Sequence, residues 1–70
     1  MIPMIFADRG VEYTIQKIGG NNETKQHLEN LGFNVGGKVT IVNTLNGNLI
    51  VNVKEVRVAV SKELAQKIMI

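Results

Sequence analysis

The chain has 70 residues, 44% of them hydrophobic and 20% charged, with a mean hydropathy of +0.07. That composition describes a single small globular domain, residues 1–70, with no length left for a second. With no Cys and a single His, disulfide frameworks, Cys-based zinc fingers, iron–sulfur sites and thiol catalysis are all excluded.

The formal net charge of +2 is spread singly along the chain, and the only aromatics are Phe6, Tyr13 and Phe33. A nucleic-acid binder gathers its basic residues into a stripe and interleaves aromatics, so no nucleic-acid partner is expected. Residues 1–7 form an apolar opening interrupted by Pro3 and closed by Asp8 and Arg9. The stretch is too short to cross a bilayer and lacks the basic flank of a signal peptide, so a cytoplasmic location without membrane insertion is expected. It reads as a lid on the domain, and any part left exposed is a candidate contact patch.

Residues 11–18 alternate and are β-branched, which predicts a first strand. Gly19-Gly20-Asn21-Asn22 breaks it. Residues 23–31 are the one α-helix, capped by Asn22 or Asn21, with Glu23 well placed in the first turn. Gly32 supplies the left-handed residue that stops the helix, and a Schellman ending brings Phe33 against Leu28. Leu28 and Leu31 then make a narrow buried stripe, so the helix lies on the surface of something else.

Further strands are predicted at 38–43, 49–53, 56–60 and 67–70. Side-chain parity pairs Val53 with Val56, Val51 with Val58 and Leu49 with Val60, leaving a two-residue turn at Lys54-Glu55. Val39 and Ile41 must face the same side as Val51 and Val53. That requires an odd loop, of three or five residues, around Asn46-Gly47-Asn48, although Asn46-Gly47 alone looks like a two-residue turn. Ser61 caps one helical turn through Gln66. The expected fold is mainly β: a small five-stranded SH3-like barrel, with one α-helix between strands 1 and 2 and a short helical turn before the last strand. An OB-fold would instead place its helix between the third and fourth strands.

Catalytic machinery is missing by count. Ser61, His27 and Asp8 are each the sole residue of their type, and Ser61 already caps a helix. The five Glu fall at turns, on surface strand positions or on the exposed helix face, so no carboxylate pair is placed for acid–base work. No enzyme and no cofactor are expected. Glu23 and His27, four apart on the helix, are the only metal-ligand pair, and two ligands without a third coordinate weakly. Gly19-Gly20 before the helix matches neither phosphate-loop spacing. Arg57 sits on the outward face of its strand between two valines, as a solvated charge or an anion contact.

The stretch Leu28-Glu29-Asn30-Leu31-Gly32-Phe33-Asn34-Val35-Gly36 resembles the L-x-x-L-G-h-x-x-G signature of the ferrous-iron transport protein A (FeoA) family. A strand ending in Gly-Gly precedes it, as residues 15–20 do here, and Val39-Thr40-Ile41-Val42 follows as the next strand. Arg57-Val58-Ala59-Val60, with Ala65 and Ile68, resembles the closing R-h-A-h…A-x-x-I pattern. The resemblance runs over roughly residues 4–70. Two positions depart from it: Glu55 stands where the family usually has Gly, and Val35 where it often has Pro. Both bear on local turn geometry. The same module resembles the C-terminal domain of iron-dependent repressors of the diphtheria-toxin-repressor type, but a free-standing chain without a DNA-binding portion suits a transport accessory better.

The resemblance implies a small cytosolic, non-enzymatic accessory of bacterial ferrous-iron uptake, acting by binding the cytoplasmic, GTPase-bearing part of the membrane transporter FeoB. The contact surface expected on this chain is the helix and its flanks, Lys25, His27, Leu28, Leu31 and Phe33, together with Arg57. The three apolar residues in that set also suit the core. Two rival readings are a transition-metal-binding or metal-responsive module, with Glu23 and His27 as its ligands, and an RNA-binding SH3-like module. Exposed sheet edges leave pairing into a homo-oligomer open.

Overall fold

Alternating apolar residues build the larger of two sheets. The structure is a computed structural model that describes all 70 residues. A 3₁₀ turn at Met4–Phe6 precedes β1 (Glu12–Thr14), β2 (Lys17–Ile18), α1 (Asn22–Asn30), β3 (Lys38–Leu45), β4 (Asn48–Val53), β5 (Val56–Val60), α2 (Lys62–Ala65) and β6 (Ile68–Met69). The four-stranded sheet runs in the order β1-β3-β4-β5, and β2 pairs with β6 in a second sheet; every pairing is antiparallel. Between them lies a core of 14 buried residues, all hydrophobic, with no polar or charged side chain among them. The domain is mainly β with a single multi-turn helix, as expected.

Three features differ from the sequence reading, each for a local reason. The first predicted strand is two strands. Ile15 turns its backbone to the loop before β3, donating to the Gly37 carbonyl (2.9 Å) and accepting from the Gly36 N–H (2.8 Å), while the Gln16 N–H donates to Met69 (2.7 Å). The chain thus changes partner between one residue and the next. The burial pattern carries the same bend: Ile15 and Ile18 are both buried although they are three apart, which an unbroken strand forbids.

The second difference is in the β3–β4 hairpin. The loop is the two-residue Asn46-Gly47 turn, with φ of 52° and 84°, and Leu45 pairs directly with Asn48. The parity argument still holds, because a bulge at Val42, between Ile41 and Asn43, inserts the missing odd residue within the strand. Val39 and Ile41 face Val53 and Val51 as required. Gly10 covers the bulge by donating to the Ile41 carbonyl at 3.0 Å. The third difference is strand count: six strands, four in one sheet and two in the other, stand where five were expected, and β1 and β5 are the edges of the larger sheet.

The remaining elements follow the sequence. β4 and β5 pair as Val53–Val56, Val51–Val58 and Leu49–Val60 around Lys54-Glu55, whose φ values of 51° and 64° are both left-handed. Asn21 caps α1, its side chain accepting from Thr24 N–H at 2.8 Å. At the other end Gly32, with φ of 108°, donates to Glu29 (2.9 Å) and Phe33 donates to Leu28 (3.0 Å), which completes a Schellman motif. Ser61 caps α2 through Leu64 N–H at 3.3 Å. The N-terminal segment does act as a lid: Ile2 exchanges hydrogen bonds with Ile70 (2.9 and 2.8 Å) and Met4 is wholly buried. Met1 and Phe6 remain exposed.

Candidate functional site

The cap at Asn21 and the Schellman ending fix α1 as a rigid nine-residue rod on the surface of the domain. Its C-terminal end rests on the β4–β5 turn. A Cβ placed on Gly32 would meet Val53 Cγ1 at 3.6 Å and Lys54 Cδ at 4.0 Å, so the stem of Lys54 runs past the end of the helix. The helix end and the β4–β5 turn therefore meet on the core side of the sheet, at Gly32, Val53 and Lys54.

Among the residues expected to make contacts, Lys25 and His27 are exposed on α1, and Arg57 is exposed on β5, across from Asn52 on β4. Leu31 is half-buried at the foot of the helix. Leu28 and Phe33 must be withdrawn from the surface, since both are fully buried. The physical reason is the Schellman motif itself, which folds Phe33 back under the last turn of the helix. What remains is Lys25, His27 and the half-buried Leu31 on the helix, with the Lys54 stem at its end; Arg57, on the outer face of the sheet opposite Asn52, is not brought beside them.

Glu23 and His27 are also exposed on α1. No His, Cys, Asp or Glu joins them as a third ligand, and nowhere in the molecule do three such residues cluster closely enough to hold a metal ion. The donor set present does not make a resident metal centre. The two concave places on the surface are shallow. One is bounded by Met1, Gln16 and Ile70; the other runs between Lys17, Gly19 and Gly20 on one side and Gln66, Lys67 and Met69 on the other. The second groove was missed in the sequence, because it exists only through the pairing of β2 with β6, which sets Lys17 opposite Met69. No buried polar side-chain atom lacks a hydrogen-bond partner and no charged group is buried, so neither groove holds a desolvated acid, base or nucleophile. No helix is long and apolar enough to cross a membrane.

The fold is that of a small SH3-like β domain. A family model for the FeoA domain matches residues 2–70, and the chain belongs to the FeoA family. It is 34% identical over 70 residues to the putative Fe(2+) transport protein A of Methanocaldococcus jannaschii, covering all of this chain and 85% of that protein. A crystal structure of an iron uptake regulatory protein (FeoA) superposes with a TM-score of 0.90 at 26% identity, covering 97% of this chain and 90% of the other. Membership makes the chain a non-enzymatic component of ferrous-iron transport.

Proposed function

We propose that this protein is a cytoplasmic accessory of ferrous-iron uptake that works by binding the cytoplasmic, GTPase-bearing part of a FeoB-type membrane transporter. The observation that carries the reading is family membership over nearly the whole chain, on a domain whose core is wholly apolar and whose polar groups all lie at the surface. A domain of that kind acts by presenting a surface to a partner. The contact residues assigned here are Lys25 and His27 on the exposed side of α1 with the half-buried Leu31 at its foot, and separately Arg57 on the outer face of β5. Iron is the cargo of the system, handled by the transporter.

The test is capture from membrane extract with the tagged protein as bait. A GTPase-containing membrane transporter is expected in the eluate. Lys25→Glu and Arg57→Glu, both at exposed positions, are expected to lower affinity about threefold or more, mainly through slower association, while leaving the melting temperature in place. Failure to retain any GTPase-containing membrane protein would end the proposal. Capture unaffected by both variants would move the contact surface elsewhere on the domain.

A further inference from the structure

The four-stranded sheet ends in an open edge at β5. Bonded and non-bonded pairs alternate along an antiparallel ladder, and the two-residue turn makes Val53–Val56 a bonded pair. Val51–Val58 and Leu49–Val60 are then bonded to β4 as well, and Arg57 and Ala59 point their backbone groups away from it. No backbone or side-chain hydrogen bond from elsewhere in the chain reaches these groups, and both residues are exposed. Sheet edges in monomeric proteins are usually blunted by proline, bulges, charged side chains or a covering element. β5 has no proline and no bulge, and its single charge is Arg57.

We propose that this edge pairs with the β5 edge of a second copy of the chain, antiparallel about a two-fold axis through Val58, to form a continuous eight-stranded sheet. The register follows from which groups are free. Only Arg57 and Ala59 offer an outward N–H and C=O, and they are two residues apart. A two-fold axis at Val58 sets Arg57 of each copy opposite Ala59 of the other, and all four groups of each strand are used at once.

The side chains agree with that register. On the outer face the guanidinium lies across from a methyl group, so no like charges stand directly opposite each other. On the inner face the half-buried Val58 meets its own copy, and Val56, 58% exposed in the single chain, comes level with Val60, which its own core already buries. At each end the Lys54-Glu55 turn of one copy comes level with Ser61 and Lys62 of the other, where that chain leaves the strand for α2.

Ala59 allows a test in both directions, because it is exposed and a longer side chain there extends into solvent. Ala59→Lys would put two Lys–Arg57 pairs across the axis, and Ala59→Glu would put two Glu–Arg57 pairs there. Sedimentation equilibrium between about 10 µM and about 1 mM, the range in which small interfaces associate, should show a monomer–dimer equilibrium for the unaltered protein. Ala59→Lys should weaken that equilibrium about tenfold and Ala59→Glu should strengthen it by a similar factor, with unchanged circular dichroism. The amide protons of Arg57 and Ala59 should exchange more slowly as concentration rises. A protein that stays monomeric throughout would overturn the proposal, as would a dimer indifferent to both substitutions. So would protection of these amides only when another protein is added, which would assign the edge to a foreign strand. No transporter takes part, so a negative result leaves the proposed function standing.

Discussion

Glu55 is the residue whose identity and conformation disagree most. It sits at a φ of 64°, next to Lys54 at 51°, in a turn that hydrogen-bond register holds to two residues. Left-handed backbone costs a non-Gly residue about 1–2 kcal/mol. The parity of Val53 and Val56 already required the tight turn, and the family resemblance places Gly at this position, so the strain was legible in the sequence. Glu55→Gly is therefore expected to raise stability by about 0.5–1 kcal/mol, the relief being partly offset by the greater freedom of Gly in the unfolded chain. Urea denaturation reads this as a higher midpoint at unchanged slope. A lower midpoint would mean that the carboxylate makes a stabilising contact outweighing its backbone strain.

At the scale of elements, what the sequence revealed was local and what it hid was pairing. Both ends of α1 could be placed to within a residue, from Gly32 and from the choice of Asn22 or Asn21 as cap, of which the structure takes Asn21, since capping chemistry depends only on near neighbours. The β4–β5 register came from parity alone. The β3–β4 hairpin shows the limit. Two sound signals, Asn46-Gly47 as a turn and the facing of Val39 and Ile41, conflicted, and the loop was made to absorb the odd residue. The structure keeps both and puts that residue in the strand at Val42, because Gly10 arrives from another part of the chain to take the carbonyl of Ile41. Nothing within the hairpin announces that approach. The candidate surface divides along the same line. Lys25 and His27 were placed correctly on the exposed side of α1, whereas Leu28 and Phe33 proved to be the anchor that holds the helix down. Leu28→Ala should accordingly cost about 2–5 kcal/mol, the usual range for truncating a buried Leu. Leu31→Ala, at a half-buried site, should cost about 1–2 kcal/mol, because less apolar surface returns to water. Equal losses from the two would mean that Leu31 is packed as tightly as Leu28.

For the molecule as a whole the question is what holds so short a chain together. A domain of this size buries only about 60% of its unfolded surface, and many chains of similar length rely on a disulfide or a metal. This one has no Cys, and no three potential ligands cluster anywhere in it. Its stability must come from the 14-residue apolar core, closed by the Ile2–Ile70 pairing that ties the two ends of the chain together. A protein that serves iron transport would still gain stability from ferrous iron if it bound the ion in its folded state only, by RT ln(1 + [L]/Kd). The Glu23–His27 pair supplies two donors, too few for that term to be large at micromolar metal. The melting temperature of freshly isolated protein should therefore be the same with and without EDTA, and anaerobic addition of Fe2+ at about tenfold excess should move it by less than about 2 °C. Since about 1 kcal/mol corresponds to roughly 4–8 °C in a domain this small, a loss of 5 °C or more in chelator would reveal a metal term in the folding energy. If that loss disappeared in His27→Ala, the ion would be assigned to α1, and the helix surface would become a metal-responsive face of the domain.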